Sequence, residues 1–336
     1  MSATPEAGTG EAAPEQTTTP PRRGRPELAA ARNRLGLYLI APTIVVLLVV
    51  IGYPVFRAVF MSFQNDAGLD PKTGLFVSGG FAGFKNYTHW ILQQCGGAKC
   101  PPGTLGSQFW PAMSATIFFT VASVVIEVVL GMWMALVMSR AFKGRGLLRA
   151  SVLVPWSIPT AVTAKLWFFI FAFDGIANSL LHTNILWTGS VWPARFAVVV
   201  ADVWKTTPFI ALLILAGLQI IPEEVYEAAK VDGATTWQRF TRITLPLVRP
   251  ALLVAVLFRT LDVLRIFDLP YILTQGANGT TTLSILVVNQ IRQGFNSAAA
   301  LSTITFVFIF LVAFVFVKVL GANVVGTLES ERKGAR

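Results

Sequence analysis

Charge is what this chain has least of. Asp, Glu, Lys and Arg make up 13% of its 336 residues, where a soluble domain carries about 25%, and apolar residues make up 54%. That balance excludes an ordinary water-soluble domain and points to lipid as the main solvent. Histidine occurs only at His89 and His182, both outside the apolar runs, so no metal-ligand or nucleophile constellation arises and no catalytic residue is expected. No Gly-x4-Gly-Lys-Ser/Thr phosphate-binding loop occurs, nor even a Gly-Lys dipeptide; any ATP hydrolysis must come from another chain. Internal repeats, common in secondary transporters, are not evident. The chain is still basic, with a formal charge of +10. Its Lys and Arg sit mostly between apolar runs rather than on one soluble face, which argues against nucleic acid as a partner.

What is present is a series of long apolar runs. A bilayer core of roughly 30 Å needs about 20 residues of helix, and Gly36–Phe63, Trp110–Ser139, Leu147–Phe173, Arg195–Ile221, Ala251–Leu273 and Ala298–Leu320 all qualify. The predicted fold class is an all-α polytopic membrane protein with six transmembrane helices over residues 35–321. Pro54, Pro155, Pro159 and Pro208 fall inside these runs and are expected to kink helices. Residues 1–34, rich in Pro, Thr, Ala, Glu and Gly, read as a disordered tail. Residues 322–336 form a second tail. The first run is too long for a signal-peptide core and is expected to stay as a span.

The basic residues set the orientation. Arg22, Arg23, Arg25, Arg32 and Arg34, then Arg140, Lys143, Arg145 and Arg149, then Lys230, Arg239, Arg242 and Arg249, and finally Lys318, Arg332, Lys333 and Arg336 fall on one side. Lys72, Lys85, Lys99, Arg195 and Arg292 fall on the other. The positive-inside bias then predicts a multi-pass protein of the plasma (inner) membrane with both termini and residues 222–250 in the cytoplasm, and residues 64–109 outside. In that external loop Cys95 and Cys100 form a Cys-x4-Cys pair among glycines and prolines. The oxidising exterior permits a local disulfide, while a metal ion would want more ligands than His89 adds, so no metal site is expected.

The 222–250 segment has the local signals of a helix, a turn and a second helix. Pro222 suits a first helical position, and Glu223, Glu224 and Glu227 lie near the positive helix end. Asp232 and Gly233 end that helix. Thr235 and Gln238 form a capping-box pattern, and Trp237, Phe240 and Ile243 are spaced for one apolar face. Pro246 should end or kink the second helix before span five. A short helix pair with small residues at Ala228, Ala229, Gly233 and Ala234 suits seating in a partner's groove; an amphipathic loop lying on lipid is the plainer alternative.

The spacing Glu227-Ala228-Ala229, three residues, Gly233, nine residues, Ile243, one residue, Leu245-Pro246 resembles in full the EAA loop of permease subunits of binding-protein-dependent ABC importers. The resemblance implies a type I importer permease fold. It also implies a loop that couples to an ATPase through Glu223, Glu227, Ala228, Ala229, Asp232, Gly233, Ile243, Leu245 and Pro246. The partners implied are a second permease subunit, two ATPase subunits that carry ATP and Mg, and an extracytoplasmic sugar-binding lipoprotein. No cofactor is expected in this chain itself. Phe81-x-Gly83-Phe84-x-Asn86-Tyr87, and Arg145-Gly146-Leu147-x-Arg149 followed by Pro155-Trp156 and Pro159, are similar to elements of the carbohydrate-importing branch. Val203 to Phe209, Phe258 to Asp262 and Arg265 to Asp268 look like trehalose-importing members of that branch. Thr274-Gln275-Gly276-Ala277-Asn278 departs from the Thr-x-Gly-Gly-Pro that the family often has there.

Charges inside a span should face a cavity or each other. Span five is expected to carry Arg259, Asp262, Arg265 and Asp268, spaced by three so that consecutive members are neighbours. Asp262 paired with Arg259 or Arg265 as structural glue is one reading. The other places Trp204, Asp262, Arg265, Phe267, Asp268, Tyr271, Asn289 and Gln290 on a substrate pathway, since sugars are recognised by planar polar groups together with aromatic faces. Glu127, Lys165, Asp202 and Lys205 are further ionisable residues in the runs, with Asp202 and Lys205 placed to pair. The expected function is the permease of an ABC importer for a disaccharide, trehalose first. An ion-coupled secondary transporter, or an ABC permease for another sugar or a glycerol phosphate compound, remains open.

Overall fold

The computed structural model describes residues 26–69, 74–77 and 79–318, in two compact units that meet in sequence at Phe56 and Arg57. In the first unit, α1 (Pro26–Leu47) opens on a proline, whose missing N–H costs nothing at a first helical position, so the helix starts within the stretch expected to be a disordered tail. Residues 1–25 and the expected second tail lie outside the described residues. After α1 the backbone widens to a π turn over Leu48–Gly52 and continues as α2 (Tyr53–Ser62), in which Pro54 is the second residue. A proline ring presses on the carbonyl four residues back. The wider turn, closed by Tyr53 N–H donating to Leu48 O, makes room for it. Apolar side chains from Leu35 to Phe60 stay exposed, and Arg34–Ser62 is long and apolar enough to cross a membrane.

The second unit is helical apart from two short antiparallel ribbons, β1 (Gly68–Leu69) with β2 (Phe76–Val77), and β3 (Gln94–Cys95) with β4 (Ala98–Lys99). Its helices are α3 (Lys85–Ile91), α4 (Phe109–Ser139), α5 (Arg145–Ser157), α6 (Thr160–Ile170), α7 (Ile176–Leu181), α8 (Val191–Leu218), α9 (Glu223–Val231), α10 (Thr236–Arg239), α11 (Leu245–Val263), α12 (Asp268–Thr274), α13 (Leu283–Ile291) and α14 (Phe295–Phe316). The core is built where α4, α8 and α11 meet. Small residues bring these backbones close: a Cβ on Gly131 would lie 2.7 Å from Ile210 Cγ2, and one on Gly217 would lie 2.5 Å from Ala251 Cβ. Met132, Ala135, Ile210, Ile214, Val248 and Ala255 pack in one apolar cluster there, and Phe119, Ala197, Ala201, Val263 and Leu269 in a second.

Two spans differ from the sequence expectation. The third is broken rather than kinked, because α5 and α6 meet at a 90° bend. Ile158 precedes Pro159 and is forced out of helical geometry, to φ −71° and ψ 131°. Its freed carbonyl accepts a hydrogen bond from Lys205 Nζ at 2.5 Å. The fifth span starts earlier and stops earlier than Ala251–Leu273. Thr236–Val263 is one helical stretch of 28 residues. Pro246 does not end it, because a second π turn over Phe240–Thr244, closed by Leu245 N–H to Phe240 O, widens the backbone just before the proline as happens before Pro54.

The 64–109 segment is pinned to the bundle by residues of the Phe81–Tyr87 motif. Asn86 Nδ2 donates to Ser62 O and Gln64 O at 2.9 and 2.8 Å, and Tyr87 shares a 2.6 Å hydrogen bond with Ser62. Trp90 is fully buried and donates to Ser297 O at 3.0 Å. Asp66 accepts from the backbone N–H groups of Asn296 and Ser297, at 2.6 and 3.0 Å, which caps the start of α14. Cys95 and Cys100 are joined by a disulfide.

Candidate functional site

The Pro222–Pro246 loop folds as two capped helices. Pro222 stands just before α9 rather than at its first position, and Glu223 and Glu224 fill the first turn while Lys230 sits in the last, each sign where the helix dipole favours it. At the other end Ala234 N–H donates to Ala229 O at 2.9 Å and Gly233 N–H to Lys230 O at 3.1 Å. This Schellman pair of bonds requires a left-handed residue between helix and turn, and Gly233 supplies it at φ +75°. The capping box is formed: Gln238 N–H donates to Thr235 Oγ1, and Thr235 N–H donates to Gln238 Oε1 at 2.8 Å.

Most of the loop residues singled out from sequence face outward. Glu223, Glu227, Ala228, Asp232, Gly233, Leu245 and Pro246 are exposed, Ile243 is half-buried, and Ala229 alone is buried. Val231 and Trp237, 88% and 71% exposed, crown this surface. Tyr226 hydroxyl meets Thr244 Oγ1 at 3.1 Å and ties α9 to the π turn. Between the loop and the ends of α4 and α8 lies a cavity of about 1030 Å³, whose walls include Arg140, Leu218, Tyr226, Lys230 and Arg239.

At the far end of the same helix lies a buried ion cluster. Arg259, 3% exposed, donates Nε to Glu127 Oε2 at 2.6 Å and Nη2 to Glu127 Oε1 at 3.0 Å. It also donates to Asp202, and through Nη1 to Asp262 Oδ2 at 2.5 Å. Thr206 adds a hydroxyl to Glu127 Oε1 at 2.6 Å. One guanidinium therefore joins α4, α8 and α11, and its planar fork is suited to holding several carboxylates at once. Asp262 is the exposed member, its side chain 65% accessible.

The charges of span five do not form one row. Asp262 pairs with Arg259 and not with Arg265, whose Nε donates to Leu261 O at 3.2 Å just past the helix end. Asp202 pairs with Arg259 instead of Lys205, which reaches the Ile158 carbonyl. Since the span stops at Val263, Asp268 is placed on α12 as its exposed first residue, ahead of the buried Leu269 and Pro270, and the rings of the neighbouring Phe267 and Tyr271 stack at 5.0 Å. Trp204 is half-buried, edge-on to Trp167 at 5.9 Å. Asn289 is half-buried and Gln290 buried on α13, and Gln290 opens onto a different cavity, beside the 64–109 segment. The structure thus splits the proposed pathway residues into two groups. Glu127 and Asp202 are the partners of Arg259 that sequence spacing could not pair; an uncompensated carboxylate in an apolar run was the available signal.

A bundle of apolar helices organised around a buried ion cluster, with a capped helix pair projecting from one end, defines a multi-span transport permease. The chain belongs to the family of binding-protein-dependent transport system inner membrane components, whose family model matches residues 127–325. It is 38% identical over 322 residues, 95% of this chain and 99% of the relative, to the trehalose transport system permease protein SugA of Mycobacterium tuberculosis. It is 39% identical over 294 residues, 85% of this chain and 93% of the relative, to the trehalose/maltose transport system permease protein MalF of Thermococcus litoralis. The sulfoquinovosyl glycerol transport system permease protein SmoG of Agrobacterium fabrum is 35% identical over 278 residues, covering 79% of this chain and 84% of that one. Among solved structures, a bacterial ABC transporter that imports alginate matches with a TM-score of 0.70 at 21% identity, over 88% of this chain and 98% of the other, which shows the shared type I permease fold. The chain is accordingly an inner-membrane permease of a sugar ABC importer.

Proposed function

We propose that this chain forms half of the translocation pathway of a disaccharide importer, with trehalose as its first cargo, and that it couples the pathway to ATPase subunits through the Glu223–Pro246 loop. One observation carries the reading. The complete EAA spacing is built as two capped helices with an exposed outer face, and the second runs without a break into the span that bears Arg259 and Asp262. An outward surface of Glu223, Glu227, Ala228, Val231 and Trp237 suits a groove on a soluble partner, and the stiff helix behind it can carry rigid-body motion into the bundle.

The remaining parts of the machine follow from the same reading. A second permease completes the pathway, two ATPase chains bind ATP and Mg, and an extracytoplasmic binding lipoprotein delivers the sugar. Both termini and the loop lie in the cytoplasm, in keeping with the distribution of Lys and Arg. Trehalose is supported by the relatives that carry it in their names, while the sulfoquinovosyl glycerol relative sets a glycerol-linked sugar as the next cargo to compare. Uptake of labelled trehalose, maltose and sulfoquinovosyl glycerol in cells with and without this chain tests the assignment. Trehalose uptake should disappear without the chain. Unchanged trehalose uptake, or loss of another substrate alone, overturns it.

A further inference from the structure

The 64–109 segment and the adjoining ends of α13 and α14 enclose a cavity of about 680 Å³, within the size range of small-ligand sites. Its walls mix polar and apolar surface, and the described residues that line it include no carboxylate. Two of them are unusual. Gln290 and Ser297 are 8% and 9% exposed, yet the amide of one and the hydroxyl of the other find no hydrogen-bond partner among the described residues. Their polar atoms face the cavity without a protein partner and so are open to a ligand or to water. Gln293, just past the end of α13, and Lys85 line the same cavity and are exposed.

The frame behind these groups is fixed. Ser297 is held from below by its carbonyl bond to Trp90, at 3.0 Å, and by its N–H bond to Asp66, also at 3.0 Å. Across the cavity, His89 Nδ1 lies 2.7 Å from Gln94 O and the Cys95–Cys100 disulfide closes the loop. Each glutamine amide offers a donor and an acceptor side by side, which matches a pair of neighbouring hydroxyls. Among the described lining residues a lysine donor is present and no acid, which suits an uncharged polyol rather than a cation.

We propose that this cavity is an outer subsite that takes one glycosyl unit of the cargo before it enters the membrane. The proposal rests on the sugar-import reading and adds a second, more external station to it. The cysteine content makes a direct test available, because the two cysteines of this chain are bonded to each other, so Gln290→Cys would give it a single free thiol, read on this chain's own band. In membranes holding the assembled importer, a membrane-impermeant maleimide should label Gln290→Cys from outside. Trehalose above its dissociation constant should slow that labelling by about twofold or more, as mass action requires, while an equal osmolarity of betaine should not. Ser297→Cys provides a second position if the first variant fails to insert.

Labelling that neither trehalose nor maltose slows, or a thiol at both positions that is unreactive from outside, overturns the subsite. Water alone as occupant would give the first of these outcomes. Sugar uptake by the native chain is measured in parallel: uptake without protection removes only the subsite, whereas absence of uptake removes the import reading.

Discussion

The Arg259 guanidinium holds both carboxylate oxygens of Glu127, at 2.6 and 3.0 Å, across 132 positions of the chain. Neither side chain meets solvent to any extent, and the same guanidinium also serves Asp202. Taking one member from a buried ion network leaves its partners uncompensated, and such losses run to about 3–5 kcal/mol. Arg259→Met should therefore lower the unfolding midpoint of the detergent-solubilised chain sharply, even though methionine fills much of the volume. Glu127→Gln, which keeps one acceptor oxygen and nearly the same shape but sets an NH2 where the other carboxylate oxygen accepts, should lower it less. Equal midpoints for native chain and Arg259→Met would show that the cluster contributes nothing to stability.

A second expectation concerns the turn between α9 and α10. Gly233 sits at φ +75°, where a side chain costs about 1–2 kcal/mol, and Thr235 supplies a cap worth about 1 kcal/mol. Gly233→Val should distort the outer face of the loop without touching the bundle. ATP hydrolysis by the assembled importer should then proceed with reduced sugar uptake, and Thr235→Ala should show the same defect more weakly. Normal uptake per ATP in Gly233→Val would separate the loop from coupling.

The break in the third span yields a third. Pro159 holds Ile158 out of helix, and the Lys205 ammonium occupies the carbonyl thus exposed. With Pro159→Ala the chain regains the means to continue the helix, and spin labels on α5 and α6 should move apart as the 90° bend opens. Lys205→Met strands a buried acceptor, at a cost of about 1–3 kcal/mol, and should be tolerated better when combined with Pro159→Ala than alone. An unaltered label separation in Pro159→Ala would mean that packing, not the proline, sets the bend.

Much of this architecture is written in local patterns. Apolar length marks the spans; the spacing from Glu227 to Pro246, with Gly233 and the Thr235–Gln238 box inside it, marks the loop helices down to their caps. What stayed hidden depends on contacts distant in sequence. Asp202 and Lys205 are a turn apart and look like a pair, but each is taken by a partner from another element, because the bundle brings Arg259 and the Ile158 carbonyl to them first. The end of span five at Val263 did leave local marks, since Leu264 to Tyr271 carries Arg265, Asp268 and Pro270 among its apolar residues; the structure adds that α12 packs beside α6 and α8. Of the two outcomes open at Pro246, an end or a kink, the helix does not end there, since a π turn just before it relieves the clash that would otherwise stop a helix.

That relief has a mechanical result. The 28 residues from Thr236 to Val263 amount to a strut of about 42 Å at the helical rise, with an exposed tryptophan near one end and the three-way ionic clamp near the other. A strut cannot absorb a shove by folding at its middle. Under the coupling proposed above, a displacement of Trp237 would be carried along this helix to Asp262, and a molecule seated on the loop would time the opening of the route.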